Sequence, residues 1–284
     1  MADVQDTIRE RAAALLSSGE VSAVVGWGAG RFDDVRFPLV IKRAEDAGKL
    51  VFDASCVQMT AKRLLEHTGE GKVAIVARGC ESRAVNRFIA DHQLARDQVY
   101  VIGVPCPGMV DPATGETLKR CAECQVRNPV VHDELVGDPV PEPKPYRFAE
   151  VDRVEAMSRE ERRAFFDEMY GKCIRCYACR NACPCCTCRE CFVEQDKVGW
   201  QGKAFNVNEA RYYGMIRAFH TGDRCIECGE CERACPMGLP LMVIMHQQVR
   251  DIDKLFGPYE GGGLTDSGPD PLRTYKTDDI EEFM

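Results

Sequence analysis

The sequence has no apolar run approaching the roughly 20 residues that cross a bilayer as a helix, so no membrane insertion is expected. Basic residues are in the minority: 37 Lys and Arg against 45 Asp and Glu, a net charge of −8. A nucleic-acid surface needs the opposite balance, because Lys and Arg must displace counterions from phosphates. No nucleic-acid partner is expected. Histidine is scarce, with five residues, His67, His92, His132, His220 and His246. They are scattered, without H-x-x-x-H or His/Cys pairing, and His67 and His92 end predicted helices, where they favour the dipole; capping or surface roles follow. There is no G-x-S-x-G signal and no nucleophile–base pair. Asp33-Asp34 and the acids at 278–282 read as solvated charge. The glycines from Gly26 to Gly30 follow an apolar run, but a dinucleotide fingerprint must open a helix directly; a glycine turn is expected instead. The first six residues lack the basic start and apolar stretch of an export signal, and a cytoplasmic location is expected.

What the chain does have is cysteine, 17 in 284 residues. That length suits two ordinary domains, each with its own core. In a short secreted protein such density would mean disulfides. In a longer chain with no export signal, cysteines at short fixed spacings read as thiolate metal ligands.

Along the first half, helical and extended patterns alternate. Val4, Ile8, Ala12, Leu15 and Leu16 recur at helical spacing. Short apolar runs at 21–25, 38–41, 49–52, 72–77 and 98–103 read as strands, with helices at 57–67 and 81–92 between them. Strands interleaved with helices predict an α/β domain, residues 1–137, whose mainly parallel sheet is covered on both faces. Four prolines at alternate positions, Pro139 to Pro145, cannot sit in a ladder or a helix, so 138–147 is an extended linker. From 148 to 258 the pattern is mostly α-helical. Ser158 and Glu161 form the S-x-x-E of a capping box opening a helix with Phe165, Phe166 and Met169, and 208–220 and 239–256 are further helices. Residues 259–284 have little core-forming content and read as an extended acidic tail, disordered or held by a partner.

Within the helical half, Cys173, Cys176, Cys179 and Cys183-Pro184 share the spacing C-x-x-C-x-x-C-x-x-x-C-P with Cys225, Cys228, Cys231 and Cys235-Pro236. Three close thiolates can bind three irons of one cubane, while the fourth is carried away by the following chain. In two-cluster ferredoxins that fourth cysteine ligates the other cluster. On this rule Cys173, Cys176, Cys179 and Cys235 hold one 4Fe–4S cluster, and Cys225, Cys228, Cys231 and Cys183 hold a second. Zinc also takes four thiolates, but it would need only C-x-x-C pairs and gives no reason for the third cysteine and the proline to recur. This half resembles the two-cluster ferredoxin domains built into larger redox enzymes. With a helix between its motifs, it is more similar to the helical ferredoxins of succinate dehydrogenase and heterodisulfide reductase subunits than to the small β-rich ones. The resemblance implies an electron relay.

In the first half, Cys80 and Cys106 each follow a predicted strand, and strand ends of a parallel sheet collect at the edge where open α/β sheets bind ligands. Cys121-Ala-Glu-Cys124 adds a chelating pair, and four thiolates at one edge suffice for a third cluster. The order Gly79-Cys80, Gly103 to Cys106, Cys121 to Cys124, then Asp133 to Asp138 is similar to the beta subunits of deazaflavin-reducing hydrogenases and related formate dehydrogenases, over roughly residues 15–138. The resemblance implies a flavin (FAD), an additional 4Fe–4S cluster and Cys80, Cys106, Cys121 and Cys124 as its ligands, in complexes of anaerobic metabolism. The order of domains differs from that family, since here the ferredoxin part comes second. Buried small hydrophobes are the alternative reading of these thiols.

Cys185, Cys186, Cys188 and Cys191 are surplus to the two ferredoxin clusters. A further metal site, a fourth cluster with Cys56 as an extra ligand, competes with redox-sensitive or shielding thiols; adjacent Cys185 and Cys186 do not easily reach one cubane. Arg175, Arg180, Arg224 and Arg233 lie within or beside the motifs and could tune potential. The expectation is an iron–sulfur electron-transfer subunit, without catalytic side chains, working with other redox subunits of a hetero-oligomeric oxidoreductase of heterodisulfide-reductase, hydrogenase or formate-dehydrogenase type. Two alternatives stand beside it. One is a flavin-containing beta-type subunit transferring hydride with a deazaflavin or nicotinamide; the other is a zinc-structured assembly protein.

Overall fold

A computed structural model describes residues 2–32, 35–195, 199–256 and 261–263. The first helix, α1 (Ala2–Ser17), turns Ile8, Ala12 and Leu15 inward as their spacing predicts. It covers one face of a five-stranded sheet formed by β1 (Ala23–Ala29), β2 (Arg36–Ile41), β3 (Val73–Ala77), β4 (Val99–Gly103) and β5 (Glu134–Leu135). The order is β2-β1-β3-β4-β5. β1 and β2 are antiparallel, and every other pairing is parallel. The central strands are Val- and Ile-rich and buried on both sides, as parallel strands covered by other layers must be. Val24, Ala74, Val76 and Ile102 face the α1 side. Val25, Val73, Ile75 and Val101 face the other, where α2 (Gly79–Ala90) packs.

Three local expectations change. The stretch from Gly26 to Ala29 is strand, not turn. Its glycines are needed for close packing, since a Cβ on Gly26 would meet Leu50 Cδ2 at 2.9 Å and one on Gly28 would meet Leu39 Cδ2 at 2.9 Å. Residues 49–52 contribute only a single bridge, Leu50 to Gly28. Residues 57–67 form a 3-10 turn over Ala61–Glu66 rather than a helix. The carbonyls a helix would need at its start are taken by distant side chains: Cys56 O accepts from Arg78 Nη1 at 2.5 Å, Gln58 O from Trp27 Nε1 at 2.8 Å, and Val57 O from Arg120.

Residues 138–147 have no regular structure but are strapped to the preceding segment. Asn128 exchanges hydrogen bonds with Val140, and Glu142 accepts from the backbone of Arg127 and Asn128. Beyond them come α4 (Ala149–Glu155), α5 (Arg159–Gly171), α6 (Ala178–Ala182), α7 (Val207–Gly222), α8 (Glu230–Arg233) and α9 (Met242–Phe256). No strand follows β5 among the described residues. Ser158 and Glu161 form the expected capping box. Cys183, Cys185 and Ile226 belong to the same apolar cluster as the α2 face of the sheet, so the two halves share a packed core there. Of the expected tail, Gly261, Gly262 and Gly263 offer carbonyls to Arg83 and Asn86 of α2. The remainder of 259–284, like Asp33-Asp34 and the acids at 278–282, lies outside the described residues. No helix among the described residues is long and apolar enough to cross a membrane.

Candidate metal centres

The parallel register aligns Ala77 of β3 with Gly103 of β4, so the chain leaves both strands at the same edge. Cys80 sits in the first turn of α2, and Cys106 lies just past β4. Cys121 belongs to the short helix α3 (Lys119–Ala122), with Cys124 after it. These four cysteines line one cavity of about 350 Å³. That is within the ~300–1,000 Å³ typical of small-molecule sites. Gly79 lets the segment carrying Cys124 approach, because a Cβ there would meet Val126 O at 2.4 Å. Burial pushes the Cys80, Cys106 and Cys124 thiols above the ordinary thiol range. Thiols so placed stay protonated unless a cation draws the proton off, as coordinated metals do.

Beneath the cavity, the Arg78 guanidinium is fully buried. It donates to Glu81 at 2.8 and 2.6 Å and lies 4.6 Å from the centre of the Trp27 ring. The opposite wall comes from the second cysteine motif: Ile226, Glu227, Cys228 and Gly229. Arg120 links the two, donating to Glu230 Oε2 at 2.6 Å and to Cys228 O at 3.1 Å. A Cβ on Gly229 would meet Arg120 Cβ at 2.8 Å, and its φ of +64° also favours glycine.

His246 of α9 lines the same cavity. Burial and the Arg147 and Lys119 cations lower its pKa to about 4. They outweigh Glu227, 3.6 Å away, whose own proton affinity burial raises. The unfolded chain therefore binds a proton between pH 6.5 and 4 that the folded chain refuses, and stability falls as pH drops through that window. In urea titrations the His246 contribution, the difference between wild type and a His246→Gln variant, should fall by about 2 kcal/mol between pH 7 and pH 5, while the raised Glu227 works in the opposite direction.

The two C-x-x-C-x-x-C loops have the same backbone. Arg175 and Glu227, third in each motif, have φ of 49° and 55°, and Tyr177 and Gly229, fifth in each, have 60° and 64°. Left-handed conformations at non-glycine residues each cost on the order of 1 kcal/mol or more and cluster where chain wraps a ligand. Cys173, Cys176 and Cys179 line a second, smaller pocket, and the cysteine that joins them is Cys235 of the other motif. Tyr213 Oη lies 3.5 Å from Cys179 Sγ in the same pocket. Reciprocally, Cys183 faces Cys225, Cys228 and Cys231, whose thiols burial pushes up, Cys231 to about 12. Cys176 alone among these twelve cysteines is exposed.

Two of the extra thiols adjoin the second group: Cys185 and Cys186 lie beside the Cys183 thiol, and Cys185 also faces Cys225 and Cys228. Cys185 donates to Arg224 O at 2.9 Å, with Cys186 packed beside it, on the α2 face of the sheet. Cys188 is exposed, and Cys191 is near Arg180. Cys56 is not brought to them: it lies in the core on the α1 face, its thiol donating to Val51 O at 3.6 Å. The arginines singled out in the motifs have partners within the chain, and of them Arg233 lines the cavity of Cys80. Arg175 donates to the carbonyls of Gly202, Lys203 and Ala204, Arg180 pairs with Glu194, Arg224 donates to His220 O, and Arg233 pairs with Glu230. The buried cations beside the cysteines are instead Arg78, Arg120 and Arg217. In sequence they look like ordinary surface arginines of amphipathic segments, and only the fold turns them inward.

No disulfide joins any of the described cysteines. Among the described residues no three His, Cys, Asp or Glu side chains converge tightly enough to hold a single ion.

Comparison with known proteins adds to this geometry. No protein-family model matches the chain. The F420-dependent formate dehydrogenase subunit beta of Methanocaldococcus jannaschii is 23% identical over 292 residues, covering 70% of this chain and 76% of that protein. The F420-dependent formate dehydrogenase 1 subunit beta of Methanococcus maripaludis is 48% identical over 33 residues, 12% of this chain and 8% of that protein. The first similarity supports the resemblance stated for the N-terminal half.

Proposed function

We propose that the chain is an iron–sulfur electron-transfer subunit of a multi-subunit oxidoreductase of the formate dehydrogenase or hydrogenase kind. What carries this reading is that Cys235 joins Cys173, Cys176 and Cys179 in one pocket while Cys183 faces Cys225, Cys228 and Cys231, and that Cys80, Cys106, Cys121 and Cys124 line a common cavity. Thiols in fours, on loops with matched left-handed residues, suit the donor set of a cubane. Cys173, Cys176, Cys179 and Cys235 would hold one 4Fe–4S cluster, Cys225, Cys228, Cys231 and Cys183 a second, and Cys80, Cys106, Cys121 and Cys124 a third. Bound there, the clusters supply one-electron couples whose potentials the protein sets.

The chain's own residues do the rest. The loops fix ligand positions, and Cys228 brings the second group to the wall of the cavity that holds the third. Burial of Cys183, Cys225 and Cys231 keeps water from the middle group. Exposed Cys176, beside exposed Ile174 and Met237, marks the face through which a partner subunit would exchange electrons.

The likeness of the first half to beta subunits favours one second reading, a beta-type subunit carrying FAD and transferring hydride. Anaerobic purification with its partners, followed by acid extraction, separates the two. Protein that is reduced and reoxidised with no extractable flavin fits a pure relay. Stoichiometric flavin fits the hydride-transferring subunit and contradicts the relay-only assignment.

A further inference from the structure

Arg217 lies on α7, the helix that joins the two cysteine motifs. Its side chain is 6% exposed. Among the described residues it has no carboxylate partner: Nη2 donates to Cys179 O at 3.3 Å, and Nε, fully buried, has no hydrogen-bond partner. Several other arginines with little exposure pair with acids, Arg78 with Glu81, Arg87 with Asp91, Arg120 with Glu230 and Arg250 with Asp152, while Arg83 donates to the Gly261 carbonyl. A buried cation without a counter-charge is strongly destabilising, so the place of the anion is informative. The groups that face Arg217 include cysteines of both motifs, Cys231 and Cys183 from one group and Cys179 from the other, with the surplus thiol Cys186 beside them. It also lines the pocket of Cys173, Cys176, Cys179 and Cys235.

We infer that Arg217 is the shared counter-ion of the two ferredoxin-type centres, a fixed positive charge between them that raises both reduction potentials. The inference rests on the cluster reading above. Four thiolates give each loaded centre a net negative charge, and a reducing electron makes it more negative. A permanent cation alongside therefore favours the reduced form of both centres. The arginine carries no electron itself; its role is to set potential and to make the loaded state neutral enough to bury.

The test uses the full chain, prepared anaerobically as wild type, Arg217→Gln and Arg217→Lys. Iron and sulfide are counted, and the midpoints of both centres are followed by EPR during a redox titration. In Arg217→Gln, which keeps a hydrogen-bonding amide but no charge, the reduced-to-oxidised ratio of both centres at a fixed solution potential should fall roughly tenfold or more, the scale of one nearby charge in protein. Arg217→Lys should restore wild-type midpoints. If Arg217→Gln fails to load while Arg217→Lys loads, the counter-ion role is also supported. A loaded Arg217→Gln with wild-type midpoints overturns the inference, and so does failure of both variants to load, which would make shape rather than charge the requirement. Wild-type protein without iron and sulfide instead overturns the cluster reading itself.

Discussion

Cys235→Ser should cost the protein the cluster of the first motif, not of its own. Anaerobically purified variant should lack about four irons, the content of one cubane, and the lost EPR signal should match the one lost in Cys176→Ser. Cys183→Ser should match Cys228→Ser in the same way. The reason is positional: Cys235 lines the pocket of Cys173, Cys176 and Cys179, while Cys183 faces Cys225, Cys228 and Cys231. Each fourth cysteine lies just before a proline, after a short helix, α6 or α8, that carries the chain away from the loop holding the other three. Were Cys235→Ser and Cys228→Ser to lose the same signal, each motif would be a self-contained site and the exchange would be wrong.

Cys80→Ser and Cys121→Ser should each remove one further set of about four irons and leave both ferredoxin-type signals intact. These residues come from different elements, the first turn of α2 and the helix α3, yet line one cavity. A shared loss from both substitutions is what a common cluster demands. Unchanged iron in both variants would mean that the four thiols are only small apolar side chains. The cavity would then be left to an organic ligand.

Much of this arrangement is legible in the residues themselves. The repeated cysteine spacing marks the two loops, and runs such as 72–77 and 98–103 mark the parallel strands whose ends bring Cys80 and Cys106 together. The capping box at Ser158 is a local interaction and forms as read. What the pattern does not show depends on contacts distant in sequence. Residues 57–67 have helical periodicity, but Trp27, Arg78 and Arg120 claim the carbonyls at their start. The hairpin of β1 and β2 hides in a glycine-rich stretch whose glycines serve side-chain clearance rather than a turn. Arg217 reads as one more polar residue of a helix, and Glu227 as a spacer between cysteines, until the second motif packs against the edge of the sheet. Proximity to the motifs in sequence also misleads: Arg175 lies beside the cysteines but spends its charge on carbonyls, and Arg224 on the His220 carbonyl and the carboxylates of Asp91 and Asp223.

Iron and acid-labile sulfide counted together on anaerobically purified wild-type chain test the central assignment most directly. Three cubanes predict about twelve of each per chain, in brown protein whose colour bleaches on reduction. Colourless protein carrying zinc, or nothing, in place of iron and sulfide would contradict it.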